Sequence, residues 1–125
     1  MYLSNNKLPE SIVIIGTDAF SNCTSLIIDD LYLPNLTTLG GAFFNCDVRK
    51  ISNLGSITNV TGFQNNINLK SVVLPETITT IYSWAFGNCT SLTTINLPKT
   101  ITTIEGQAFS NCTSLVIDEL NLPNL

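Results

Sequence analysis

Histidine is absent from the 125 residues. Its absence removes Ser-His-Asp and Cys-His catalysis, histidine metal sites and any imidazole general base. Charge is scarce at 11% of the chain, and five Lys and Arg against nine Asp and Glu leave a net charge of −4. That balance argues against duplex nucleic acid as a partner. Long apolar runs are missing too. The longest wholly aliphatic stretch is Ile12 to Ile15, far short of a membrane span, so no membrane insertion is expected. The start, Met1-Tyr2-Leu3-Ser4-Asn5-Asn6-Lys7, lacks the basic-then-apolar order of a signal peptide. No nucleophile–base pair, phosphate loop or metal-ligand cluster is recognisable, so neither catalysis nor a cofactor is expected.

What is present is patterned. An apolar content of 44% is not that of a disordered chain, and the polar remainder is dominated by 15 Asn, 16 Thr and 11 Ser. Asn-Cys recurs at Cys23, Cys46, Cys89 and Cys112. Five of the six phenylalanines, Phe20, Phe43, Phe63, Phe86 and Phe109, follow at steps of 23, 20, 23 and 23 residues. All five prolines, Pro9, Pro34, Pro75, Pro98 and Pro123, stand directly after a leucine. Such regular placement of rare residues marks an array of repeats. Leu8 to Leu36 also matches Leu97 to Leu125 at 19 of 29 positions, an offset of 89 residues or four repeat steps. The chain therefore reads as a fragment of a longer array, without the polar caps that solenoids normally carry.

The cleanest unit runs from Leu92 to Cys112, with Leu92, Ile95, Leu97, Ile101, Ile104, Phe109 and Cys112 separated by Thr, Ser, Asn and Gly. No helical stripe persists beyond a turn. Two short strands per unit fit better, Thr93 to Leu97 and Thr102 to Ile104, the first ended by Pro98. The Ala-Phe-Ser-Asn-Cys stretch reads as a single helical or 3₁₀ turn. One unit cannot bury its own apolar face, so neighbours must cover each other, like residue on like residue at the strand spacing of ~4.8 Å. The Asn preceding each Cys (Asn22, Asn45, Asn88, Asn111, with Asn65 in the odd unit) is expected to satisfy the turn backbone, because a carboxamide both donates and accepts.

The pattern resembles the BspA-like leucine-rich repeats of bacterial and protist surfaces. The residues that carry the resemblance are Leu92, Ile95, Leu97, Pro98, Ile101, Ile104, Ala108, Phe109, Cys112 and Leu115, repeated as Leu69, Val72, Leu74, Pro75, Ile78, Ile81, Ala85, Phe86, Cys89 and Leu92. Two departures stand out: Leu26 to Leu33 carries two extra residues, as does Leu115 to Leu122, and the third unit offers Asn53-Leu54 and Gly62-Phe63 in place of Leu-Pro and Ala-Phe. The resemblance implies a β-rich solenoid of the α/β leucine-rich-repeat class, a right-handed horseshoe with short strands and single helical turns. About five coils are expected, at 3–25, 26–47, 48–68, 69–91 and 92–114, with a partial one at 115–125. It also implies an extracellular or cell-surface setting, no catalytic activity and a macromolecular partner, either host protein or glycan.

The outward positions of the first strand are the expected working face. Asp29, Asp30 and Tyr32 stand beside Arg49, Lys50 and Ser52, then Lys70, Ser71 and Val73, then Thr93, Thr94 and Asn96, then Asp118, Glu119 and Asn121. Of these, Asp29, Asp30, Tyr32, Arg49, Lys50 and Lys70 are the candidate partner-binding residues, with Tyr32 an aromatic anchor. The same charges also read as cross-strand pairs that fix register. Asp29-Asp30 and Asp118-Glu119 read as solvated loops or calcium ligands. Tyr82 and Trp84 either stack on sugar or pack on the next coil. The cysteines read as disulfides, Cys23 with Cys46 and Cys89 with Cys112, or as buried thiols at inward positions. Two functions are compatible with all this: a surface recognition module, and a structural spacer of a large surface protein or phage tail fibre. Uncapped ends leave both open to end-to-end self-association.

Overall fold

The computed structural model describes residues 7–117 and 120–125. Eleven short strands are present among them: β1 (Ile14–Ile15), β2 (Ile27–Ile28), β3 (Leu31–Tyr32), β4 (Thr38–Leu39), β5 (Asp47–Val48), β6 (Lys50–Asn53), β7 (Asn59–Val60), β8 (Ser71–Val72), β9 (Thr80–Ile81), β10 (Thr94–Ile95) and β11 (Thr103–Ile104). Every pairing is parallel, and each strand pairs with its equivalent one winding away. The principal sheet runs β10-β8-β6-β3 and a second runs β11-β9-β7. This is a parallel solenoid. The ladder joins four windings in the principal sheet, one fewer than the five coils expected.

The core follows the repeat. Phe43, Phe63 and Phe86 are fully buried, as are Leu33, Leu54, Leu69 and Leu92. Phe20, Phe43, Phe63, Phe86 and Phe109 form one column, with ring centroids 5.3, 5.4, 5.7 and 5.6 Å apart. Their planes lie within 12° of parallel, and offset stacking of this kind contributes beyond simple burial. The last coil is less covered. Leu31 and Leu36 are 1% and 0% exposed, whereas their equivalents 89 residues on, Leu120 and Leu125, are 59% and 61% exposed.

The expected helical or 3₁₀ turn does not form, and the described residues contain no helix. The reason is local. Asn22, Asn45, Asn65, Asn88 and Asn111 all have φ near +60°, as do Asp18, Trp84 and Gln107 at the start of the same turn. Left-handed residues four apart stop a right-handed helix from propagating. Asn and Asp tolerate that region best. The freed amides bond across coils instead: Phe63 N donates to Ala85 O at 2.9 Å and Phe86 N to Ala108 O at 2.9 Å.

Two further corrections concern the asparagines. Their carboxamides bond one another rather than the turn backbone: Asn45 Nδ2 donates to Asn22 Oδ1 at 3.0 Å, Asn88 to Asn65 at 2.7 Å and Asn111 to Asn88 at 2.8 Å. The buried backbone is satisfied one residue later. Cys46 Sγ donates to Phe20 O at 2.8 Å, Cys89 to Phe63 O at 3.3 Å and Cys112 to Phe86 O at 3.1 Å. In the odd unit Asn66 stands in for cysteine, and it is fully buried. All four cysteines are free thiols, not the paired disulfides that were one of two readings.

Candidate interaction surface

The principal sheet aligns part of the outward rows that the repeat spacing predicts; Ser52, expected beside Tyr32, is skipped, since Tyr32 pairs with Asn53, and its hydroxyl is buried. Lys50 pairs in register with Ser71, and Ser71 with Thr94. Their side chains alternate with the buried Ile51 and Val72, so Lys50, Ser71 and Thr94 share one face. One residue further on, Tyr32 and Val73 are 45% and 51% exposed. Lys70 N donates to Arg49 O at 3.0 Å, which brings those two residues side by side just before their strands. The two extra residues of the second coil, Asp29 and Asp30, form the bend between β2 and β3. An additional strand pair, β2 with β5, flanks this bend, and the repeat pattern did not announce it.

The charges on this face divide unequally. Arg49 contacts Asp47 through Nη2 at 3.1 Å and Nε at 3.3 Å, and lies 3.8 Å from Asp29. Asp47 also accepts from Asn68 Nδ2 at 3.2 Å. Partial burial pushes the Asp47 carboxyl up, but the Arg49 and Asn68 hydrogen bonds and the Arg49 charge outweigh it and hold the group below the usual carboxylate range. Hydrogen bonding to Asp47, with its charge, raises Arg49 in turn. Arg49 is thus engaged chiefly with Asp47 of its own winding, and its 3.8 Å approach to Asp29 reaches the neighbouring one. Lys50 and Lys70 make no ion pair among the described residues. Asp47 and Asn68 escaped the sequence reading, although a carboxylate two residues before Arg49 was a signal for this clamp. Asp118 and Glu119, expected in the fifth row of the face, lie outside the described residues.

The opposite face differs. Backbone bonds from Thr37 N to Val13 O, Thr79 N to Thr58 O and Thr102 N to Thr79 O put these positions in line. The hydroxyls of Thr37, Thr79 and Thr102 accompany them, each donating to the carbonyl below at 3.2 Å. Threonine thus recurs on this face at 37–38, 58, 79–80 and 102–103, broken by Val13, Ile14 and Asn59, while the principal sheet carries more varied residues and one such hydroxyl bond, from Thr93 to Lys70 O.

Trp84 is half-buried. Its ring lies over Gly87 of its own turn, where a Cβ would meet Trp84 Cε3 at 2.5 Å. Among the described residues, no group of His, Cys, Asp or Glu could hold a metal ion, and no helix is long and apolar enough to cross a membrane.

Comparison with known proteins agrees with this geometry. The model of the BspA type leucine rich repeat region matches residues 1–116 in six copies. The chain is similar to a leucine rich cell surface protein from Faecalibacterium prausnitzii A2-165, with a TM-score of 0.78 and 36% identity over 88% of this chain and 30% of that one. A leucine-rich repeat protein from Bacteroides ovatus ATCC 8483 shares the fold, with a TM-score of 0.59 and 24% identity over 86% of this chain and 34% of that one. The chain thus spans about a third of the length of these relatives. No curated protein matches it. With its in-register phenylalanine column, its Leu-Pro strand ends and a family model covering most of its length, the chain belongs to the BspA-type leucine-rich repeat family.

Proposed function

We propose that the chain is a non-catalytic recognition module of a cell-surface protein, binding a macromolecule through the principal sheet. One observation carries the reading: the charged and aromatic outward residues gather on that sheet, while the opposite rows are mostly threonine. Packing explains the threonine ladder, because each hydroxyl bonds the neighbouring coil. It does not explain Tyr32, Lys50 and Lys70, which are exposed. Tyr32 is an exposed aromatic on the same sheet as these two ammonium groups, and tyrosine is among the residues that dominate binding centres. The surface setting and adhesive role rest on the similarity to the Faecalibacterium cell surface protein.

The test uses arrays of glycans and of purified secreted proteins, probed with the unaltered chain and with two double variants. Lys50→Glu with Lys70→Glu is expected to abolish capture, since it spares the Arg49–Asp47 clamp. Thr79→Glu with Thr102→Glu, on the ladder face, is expected to leave capture unchanged once folding is confirmed. The opposite pattern would make the ladder face the working one.

A spacer role has a single supporting observation, the threonine ladder itself. The exposed Leu120 and Leu125 are where a further coil or a second copy would seat, in end-to-end association.

A further inference from the structure

The odd third unit interrupts the principal sheet, and the interruption opens a hollow on its outward side. Between β3 and β6 the register jumps: Leu31 pairs with Ile51, but Tyr32 pairs with Asn53. Ser52 is the residue skipped, so it has no cross-strand partner on that side. Bulges of this kind re-aim side chains and recur beside functional sites. The same unit has Gly55 where its neighbours have proline. Gly55 adopts φ +65°, and a Cβ there would lie 2.2 Å from Leu36 O. Without a proline ring, a space of about 330 Å³ opens at the ends of β6, β8 and β10, lined in part by Ser52, Asn53, Val73, Pro75 and Glu76. That volume is at the small end of ligand sites, ~300–1,000 Å³.

The lining is chemically specific. Ser52 Oγ is shut from water and has no hydrogen-bond partner among the described residues. A hydroxyl so placed is out of reach of a ligand as well as of water, so Ser52 forms the floor of the hollow and not one of its contacts. Asn53 uses its Oδ1 to accept from Gly55 N at 2.7 Å, which leaves its two Nδ2 hydrogens without a protein acceptor. Glu76 is exposed, and its carboxylate accepts only. Asn96, by contrast, is fully occupied: it accepts from Leu74 N at 2.6 Å and donates to Leu74 O at 2.9 Å, fixing the wall. Val73, 51% exposed, supplies an apolar patch.

We propose that this hollow is a subsite for one neutral sugar ring of a glycan. The proposal rests on the reading of the principal sheet as a recognition face, and gives that face a ligand class. A ring presents adjacent hydroxyls that both donate and accept, matching the Glu76 carboxylate and the Asn53 amide, while its C–H face covers Val73 and Pro75. An anionic sugar is disfavoured by Glu76. An extended peptide is disfavoured because β6 and β8 are each paired on both sides, leaving no strand edge to augment.

The test is an amide-resolved NMR titration of the 125-residue chain with the methyl glycosides of glucose, galactose, mannose and N-acetylglucosamine. Shifts confined to residues 52–55 and 73–76 for at least one glycoside are expected. Glu76→Ala should weaken that binding about tenfold or more, with the melting temperature unchanged. Glu10→Ala, on a separate hollow beside Tyr32, should have no effect. Lys50→Glu with Lys70→Glu should keep the glycoside shifts even if it abolishes macromolecular capture, so the two readings fail separately. No shift with any of the four glycosides, shifts centred elsewhere, or shifts at the hollow with a short peptide alone would overturn the proposal.

Discussion

Asn66 Nδ2 donates to the carbonyl of Phe43 at 2.9 Å, the bond that a cysteine thiol makes in each neighbouring coil. The carboxamide does more than the thiol it replaces. It also donates to Phe63 O at 3.0 Å and accepts from Val48 N at 2.9 Å. Phe63 O keeps Cys89 Sγ as a donor, so Asn66→Leu would leave two buried backbone groups, Phe43 O and Val48 N, unpaired and is expected to cost about 3–5 kcal/mol in urea unfolding. Asn66→Cys restores the Phe43 bond alone and should cost roughly half as much. Equal stability of all three proteins would show that water, not the side chain, satisfies these groups.

The phenylalanine column should weaken most at its centre. Phe63 is fully buried and stacked on both sides, so Phe63→Ala is expected to cost ~3–5 kcal/mol. Phe109 is only partly buried and stacks on one described ring, so its loss should cost clearly less. Equal losses in calorimetry would mean that stability is not set by neighbouring coils.

Burial, with a smaller contribution from Cys112, pushes the Cys89 thiol up to about 12. The folded value is raised, so the neutral thiol favours the fold below the ordinary value of 9.0, and this contribution is lost as pH rises toward about 12. Stability should therefore fall on the alkaline side, with a shallower slope in Cys89→Ala. Iodoacetamide at about pH 8 should label Cys89 far more slowly in the folded chain than in urea. Equal rates would place that coil open to solvent.

The Asp47 carboxyl lies below its usual range, so the sign is opposite. Its contribution is present above the ordinary value of 3.8 and is lost as pH falls through the depressed one. Because Arg49 is well exposed, solvent screening keeps the effect small. Acid unfolding of Asp47→Asn should be flatter below about pH 4 than that of the unaltered chain. Identical curves would mean the clamp is not held in solution.

Much of this was legible in the sequence, and the limits have physical causes. The rings at steps of 23 and 20 residues announced the column, because stacking in register needs only equal spacing. The outward rows from Asp29 to Thr94, Ser52 excepted, were readable for the same reason. Left-handed backbone at Asn22 and its equivalents was not, although asparagine is the residue that tolerates it, and so a helical turn was expected where none forms. Asn66 was hidden by its own polarity, since alignment puts it at the cysteine position but patterning reserves that position for apolar side chains. The clamp of Asp47 on Arg49 sits on β5, a strand paired with β2 that the repeat pattern did not announce.

The claim on which the functional account turns is that the face bearing the charged and aromatic residues is the one that meets a partner. Hydrogen-exchange protection of the chain in complex with a captured ligand reads this directly. Added protection across residues 29–32, 49–53, 70–73 and 93–96 is the predicted result. Protection centred instead on the threonine rows at 37–38, 58–59, 79–80 and 102–103 would contradict it.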